Sequence, residues 1–153
     1  MKRMIAFCLL FTLALGMVAC GGKTEKIVDL DALYAIFQET MPEMILLEDA
    51  SLRLNLLGIQ DSDCEQVITA ICADGLRTDE VWLIKAKDAA ALARIQELAE
   101  NRLYAKGAES ITYSPEQYAV VQKAETVSEG MYFFLLVSPD VETLKATVDT
   151  ALN

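Results

Sequence analysis

The hydrophobic residues of this chain recur at helical spacing in several separate stretches. Apolar positions three or four residues apart fall on one face of a helix, and each stretch is bounded by a capping residue, a proline or a glycine. Ser62 and Glu65 have the spacing of a capping box, and Pro115 after Ser114 suits the first position of a helix. The predicted helices are residues 29–41, 62–75, 88–107, a short helix from 114, and 138–152.

Two further stretches are apolar at nearly every position and predict strands. Glu80–Ala86 is rich in β-branched and aromatic residues, which favour strands. The uninterrupted apolar run Met131–Val137 is typical of a strand buried on both faces. A turn signal at residues 128–130 joins it to the strand-like residues 119–127, as in a hairpin. Residues 43–58 fit both a helix and a strand, because alternating leucines follow a continuous apolar run.

The order of these elements predicts an α+β fold. We expect a two-layer domain in which a small, mostly antiparallel sheet is packed by helices, preceded by a helical N-terminal part. No internal repeat or low-complexity stretch interrupts the pattern.

The start of the chain has the layout of a secretory signal. Lys2 and Arg3 precede an apolar run over residues 5–19, which is short for a bilayer span of about 20 residues. Cys20 closes the run in a pattern that resembles the lipobox of bacterial lipoproteins. We therefore predict that residues 1–19 are a lipoprotein signal peptide and that Cys20 is lipidated. The alternative is an ordinary signal peptide followed by an incidental cysteine.

This interpretation divides the remaining chain into two parts. Residues 20–27 would form a short tether, and residues 28–153 a single α+β domain. A tether of this kind reaches only on the order of 20 Å when fully extended. We therefore expect the domain to sit close to the extracytoplasmic face of the cell membrane, held there by the lipid on Cys20.

The charge of the chain excludes several classes of partner. Loss of residues 1–19 removes two of the 13 basic residues and none of the 23 acidic ones, which leaves a net charge of −12. Nucleic acid is therefore not expected as a partner, because its binding depends on Lys and Arg that neutralise phosphates. Electrostatic adhesion to an anionic membrane is disfavoured for the same reason.

The chain lacks the side chain that most often serves in acid–base catalysis and zinc binding. The chain contains no histidine, the commonest general base and zinc ligand. Asp61, Asp63 and Glu65 match the first ligands of a calcium loop, but Gln66 and Cys72 stand where the loop requires Gly and Glu. We predict no catalytic residue, no metal and no cofactor. The alternative is an enzyme that uses carboxylates.

Cys64 and Cys72 are the cysteines of the predicted domain. In the predicted helix they would lie about 12 Å apart along the axis, whereas a disulfide needs Cα atoms about 4.4–6.8 Å apart. Two buried free thiols are therefore expected. A disulfide is the alternative, since exported proteins commonly form them.

One basic and two aromatic residues form a candidate ligand patch. Arg102, Tyr113 and Tyr118 could together bind an anionic or ring-shaped ligand. Lys85 and Lys87 could extend it as an anion site. The alternative is that these cations are solvated and the tyrosines pack at the edge of the core.

Several short motifs carry a resemblance to a known family. From about residue 41 to 148 the chain resembles a family of small bacterial lipoproteins and membrane-anchored proteins, the domain of unknown function numbered 4358. The resemblance implies an exported location and supplies no reaction. The motifs are Leu57-Gly58-Ile59, Glu80–Lys85, Arg102, Ser114–Tyr118 and Gly130–Val137.

These observations predict a membrane-anchored extracytoplasmic lipoprotein that is not an enzyme. We expect a protein-interaction or assembly module of the cell envelope, with self-association included. The alternative is a small-molecule binding lipoprotein that serves a transporter. Such receptors usually close two lobes over a cleft, and a single domain of this size leaves no room for two lobes.

Overall fold

The computed structural model describes residues 27–153. The predicted signal peptide, Cys20 and the tether up to residue 26 lie outside the described residues. Among residues 27–153, no helix combines the length and the apolar content that crossing a membrane requires. The elements in chain order are α1 Leu30–Thr40, β1 Met44–Leu46, α2 Ala50–Leu57, a 3₁₀ turn Asp61–Asp63, β2 Cys64–Cys72, β3 Glu80–Ala86, α3 Ala89–Tyr113, α4 Pro115–Gln122, β4 Glu125–Glu129, β5 Tyr132–Val137 and α5 Val141–Leu152.

The five strands form one antiparallel sheet in the order β1-β2-β3-β5-β4. β3 lies at the centre, where Trp82 is paired with Thr69 of β2 on one side and Leu135 of β5 on the other. β4 and β5 form the predicted hairpin, whose turn contains Gly130 with a positive φ of 58°. The short strand β1 and the polar strand β4 are the two edges.

Helices cover the sheet on both faces. Alternate residues of β3 divide between two hydrophobic clusters, with Val81 and Leu83 on one face and Trp82 and Ile84 on the other. Helices α1 and α5 complete the first cluster, and α2, α3 and α4 contribute to the second. The predicted α+β class, the antiparallel sheet and the N-terminal helix are confirmed. The sheet therefore lies between two helical layers, one more than the predicted two-layer arrangement. This second layer explains why β3 and β5 bury apolar residues on both faces.

The prediction of a helix over residues 62–75 is wrong. The segment forms a 3₁₀ turn followed by strand β2, which pairs with β1 and β3. Val67 and Ile71 pack on the α3 side of the sheet, whereas Ile68 and Ala70 pack on the α1 side. A strand covered on both faces loses the period of two that identifies a half-buried strand. Its apolar residues then match helical spacing by chance.

The end of the long helix also differs from the prediction. Gly107 does not end α3, which continues to Tyr113. Gly107 is buried where α4 packs against α3, and Tyr118 and Val121 of α4 lie nearest to it. The following helix begins as predicted, with Ser114 accepting a hydrogen bond from the Gln117 amide. It runs to residue 122, so β4 begins later than the pattern suggested.

The two thiols are free, as predicted, but only Cys72 is buried, whereas Cys64 is partly exposed. The reason given for the free thiols was also wrong. Cys64 and Cys72 are the first and last residues of β2. Eight residues of extended strand separate them by about 26 Å, which is farther than a helix would place them. Burial raises the pKa of the Cys64 thiol to about 11, with Asp61 and Asp63 adding to the effect. This thiol therefore stays protonated at neutral pH.

Candidate functional site

A buried carboxylate forms the centre of a polar cluster at the start of β3. Glu80, the first residue of β3, is completely buried. Its carboxylate accepts a hydrogen bond of 2.8 Å from the indole Nε1 of Trp82. It also accepts bonds from Arg102, at 3.1 Å from Nε and 2.8 Å from Nη2, and lies 2.9 Å from Lys106 Nζ. Three side chains thus compensate the loss of hydration of this charge.

Helix α3 supplies both cations because Arg102 and Lys106 are four residues apart and share one face. Lys106 also donates to the backbone carbonyl of Thr78, at 3.0 Å. The Thr78 amide and hydroxyl in turn donate to Gln117 Oε1, at 2.9 and 3.0 Å. The network therefore connects β3, α3, the start of α4 and the loop that precedes β3.

A second cationic group lies in that loop. Arg77 forms a two-point interaction with the buried Asp79, with Nε at 3.1 Å and Nη2 at 2.8 Å. Its Nη1 lies 2.6 Å from Glu43. Each of these cations is thus already bound to a carboxylate of the same chain, and the polar cluster is neutralised from within.

The structure separates the predicted ligand patch into two places. Arg102 and Tyr113 line one cavity of about 180 Å³, together with Arg77, Asp79 and Lys106. Tyr118 lies instead in a shallow hollow of about 240 Å³ between α3 and α4. Lys85, which was also predicted as an anion-binding residue, pairs with Glu65 at 2.6 Å and sits over the ring of Tyr132. Lys87, the remaining candidate, is exposed directly after the end of β3.

Asp61 and Asp63, which match the first ligands of a calcium loop, each form an ion pair with a different arginine. Asp61 binds Arg53 of α2, with Nε at 2.8 Å. Asp63 binds Arg94 of α3, with Nη2 at 2.7 Å. Their hydrogen bonds to arginine lower the pKa values of both carboxyl groups. Among residues 27–153, no three metal-ligating side chains form a group that could hold a metal ion.

A feature that the sequence did not reveal is an open apolar groove between α1 and α5. Its volume is about 840 Å³. Ile27 and Ile36 project from its edge with 88% and 50% of their surface exposed. The sequence offered one weak sign of the groove: Ile36 is an apolar residue that lies outside the buried apolar stripe of α1. The groove is lined by Ile27, Val28, Asp29, Ala32, Leu33, Ile36, Glu142, Thr143, Ala146, Thr147, Thr150 and Ala151.

Comparison with known proteins gives one match. A family model described as "Domain of unknown function (DUF4358)" matches residues 43–138. The matched residues extend from just before β1 to just after β5, and include the Glu80 cluster. Helices α1 and α5 lie outside them. No curated protein and no solved structure matches the chain.

Proposed function

The chain belongs to the DUF4358 family, and we propose that it is a lipoprotein anchored through Cys20 at the extracytoplasmic face of the cell membrane. In this proposal the folded domain is a non-catalytic protein-interaction module. The signal layout at residues 1–20 supports the anchor. The proposed tether of residues 20–27 ends at Ile27, which lines the α1–α5 groove. The groove would therefore lie at the membrane-proximal end of the domain.

The open α1–α5 groove is the observation that carries the interaction function. A folded protein that functions alone rarely leaves a large contiguous apolar surface in water, and such surfaces mark interaction sites. Here Ile27 and Ile36 are exposed beside a groove whose lining is mainly apolar. A partner that covered these side chains would remove them from water, and this gain favours association.

The contacts of the Glu80 cluster favour a structural role for these residues over a catalytic or ligand-binding role. Arg102 and Lys106 both bind Glu80, so their charges already stabilise the fold. The adjoining cavity of about 180 Å³ is smaller than the roughly 300–1,000 Å³ typical of small-molecule sites. We therefore assign this cluster to holding β3 against α3.

A second candidate function is the binding of an apolar small molecule. The volume of the α1–α5 groove, about 840 Å³, falls within the usual range for ligand sites. Native mass spectrometry of the protein released from membranes checks this alternative. A reproducible bound small molecule would favour it over the interaction module.

Lipid anchoring is tested by metabolic labelling with an alkyne fatty acid. We expect the wild-type chain to be labelled and recovered with membranes. The Cys20→Ser chain should carry no label, because the acceptor sulfur is gone. Equal labelling of the two chains would contradict the anchor.

The interaction function is tested by chemical crosslinking in native membranes, followed by mass spectrometry. A reproducible envelope protein captured by the wild type, and lost when the groove is altered by Ile36→Glu, supports the proposal. An identical pattern of captured proteins from wild type and Ile36→Glu would contradict an interaction through the groove.

A further inference from the structure

We propose that the α1–α5 groove binds an amphipathic helix whose apolar stripe is flanked by Lys and Arg, on a neighbouring envelope protein. This inference rests on the proposed interaction function and specifies the chemistry of the partner. It follows from the shape of the groove and from the charge around it.

The shape of the groove fits a helix. α1 and α5 pack side by side, and Val28 and Leu33 are buried beneath the groove. The two helices are about 16 and 18 Å long, so the groove accommodates about three turns of a partner. Apart from Glu142, the residues of α5 that line the groove are alanines and threonines, whose small side chains allow another helix to approach closely. Recognition of this kind uses apolar anchors at positions i, i+3 or i+4, and i+7.

The charge around the groove selects a basic partner. Asp29 and Glu142 line the groove, and none of the lining residues is basic. The two helices and the residues that cap them carry six acidic side chains and one lysine. That lysine, Lys145, is bound to an acid of its own helix at 2.7 Å. The acidic residues are Asp29, Asp31, Glu39, Asp140, Glu142 and Asp149.

The same charge disfavours the other occupants. A second copy of this chain would bring an equally acidic groove, and like charges at an interface oppose association. An anionic membrane surface would be repelled, because such surfaces attract basic segments. A helix with Lys and Arg beside its apolar stripe satisfies both the apolar lining and the acidic rim, and the opposite charges also speed its encounter with the groove.

The first test places a photo-crosslinking amino acid at position 36 of the full-length chain in its native cells. Position 104 is the matched control, because Tyr104 is also a large side chain and 81% exposed but lies on α3, away from the groove. We expect position 36 to capture a protein at a segment with an apolar helical stripe and flanking Lys or Arg, located by mass spectrometry of the crosslinked peptide. Capture at position 36 of a second copy, of lipid or of an acidic segment would overturn the proposal.

The second test uses two model helices of about 16 residues, identical in their apolar stripe and carrying either Lys or Glu at the polar positions. The full-length chain is held in phosphatidylcholine nanodiscs, and empty nanodiscs give the background. We expect the Lys helix to bind, with the Glu helix about tenfold weaker or more. Equal affinity for the two helices would overturn the proposal.

Substitutions in the groove make this binding test specific. Ala146→Arg fills the groove and adds positive charge, so the affinity for the Lys helix should fall about tenfold or more. Ala93→Arg is the matched control, since Ala93 is an exposed alanine of α3 outside the groove, and its binding should equal that of the wild type. If Ala146→Arg fails to fold, the substitution Glu142→Lys, at an exposed residue, reverses one rim charge and should weaken binding of the Lys helix several-fold. Unchanged binding in the folded groove variants would contradict the proposal.

The tests separate this inference from the function on which it rests. Capture of a partner at position 104 but not at position 36 would contradict binding through the groove, whereas the proposed interaction function would remain supported. Failure to capture any protein at positions 36, 104 and 76 would count against both, because Leu76 adds a third exposed apolar site distant in sequence from the other two.

Discussion

Burial of the Glu80 carboxylate costs hydration free energy, yet the interactions of this carboxylate hold two elements of the fold together. An ionised carboxylate is strongly stabilised by water, and its complete burial would be prohibitive without compensating groups. Arg102, Lys106 and Trp82 provide that compensation. In return the buried charge fixes the position of α3 against the first residue of β3.

Glu80→Gln is expected to destabilise the fold strongly. The substitution leaves Arg102 and Lys106 without their counter-charge, and loss of one partner from a buried ion pair costs about 3–5 kcal/mol. Glu65→Gln is the control, because Glu65 forms a half-exposed pair with Lys85 and such pairs contribute about 0–1 kcal/mol. Urea denaturation followed by circular dichroism measures both. Equal midpoints for the two variants would show that the Glu80 network contributes little.

The ion pair between Asp61 and Arg53 should make stability depend on pH. The hydrogen bond from Arg53 lowers the pKa of Asp61 in the folded state. A lowered pKa contributes stability above the ordinary carboxyl value of about 3.9, and this contribution is lost as the pH falls toward the folded-state value. The Asp61→Asn variant should therefore be less stable than the wild type at pH 7, and the difference should shrink below about pH 4.

Denaturant midpoints measured at pH 7 and near pH 3 check this expectation. Glu97→Gln, an exposed substitution on α3, is the control and should track the wild type at both values. A difference between wild type and Asp61→Asn that stays constant with pH would contradict the assigned ion pair.

At the scale of elements, the junction between α3 and α4 shows how packing extends a helix beyond a glycine. Glycine is disfavoured inside a helix because it loses more conformational freedom on folding than other residues, and it is common just after a helix because it readily adopts a positive φ. Gly107 nevertheless lies inside α3, where Val121 and Tyr118 of α4 pack against it. Gly58 has the opposite role, since it ends α2 with a positive φ of 77°.

Adding one methyl group should therefore have opposite effects at these two glycines. At Gly107 a Cβ would lie 3.8 Å from Tyr118 and Val121, an ordinary contact, so Gly107→Ala should stabilise by about 0.5–1 kcal/mol. At Gly58 the Cβ would approach Leu98 Cδ2 to 2.8 Å in a left-handed backbone conformation. Gly58→Ala should therefore destabilise by about 1–2 kcal/mol. Thermal unfolding of the two variants measures whether each substitution raises or lowers the melting temperature. A change in the same direction for both would contradict the roles assigned to these two glycines.

At the scale of the whole molecule, the two hydrophobic clusters share the same central strands. β3 and β5 each present alternate side chains to both faces, so neither helical layer packs on a sheet of its own. We therefore expect one cooperative unfolding transition for residues 27–153, not two.

Leu144→Ala tests this coupling. Leu144 of α5 is buried on the face opposite the single tryptophan, Trp82, and loss of a buried leucine side chain costs about 2–5 kcal/mol. Tryptophan fluorescence and far-UV circular dichroism should shift to lower denaturant concentration by the same amount. Leu76→Ala, at a residue that is 71% exposed, should leave both signals nearly unchanged. A Leu144→Ala variant that shifts only the circular dichroism signal would indicate two independent cores.

The sequence by itself determined the elements whose signals are local. The one-sided stripe of α1 ends at Pro42, the Ser114-Pro115 pair starts α4, and the apolar runs of β3 and β5 were recognised as strands. Each depends on residues within one or two turns of each other, so neighbouring positions contain the necessary information.

Only the tertiary structure decided the features that join distant parts of the chain. Residues 64–72 form a strand because β1 and β3 pair with it, and α3 continues past Gly107 because α4 packs there. The binding of Glu80 by Arg102 and Lys106, and the groove between α1 and α5, likewise bring together residues far apart in the sequence. Local periodicity could not reveal them, because a side chain's partners across a sheet or between helices leave no regular spacing in the chain.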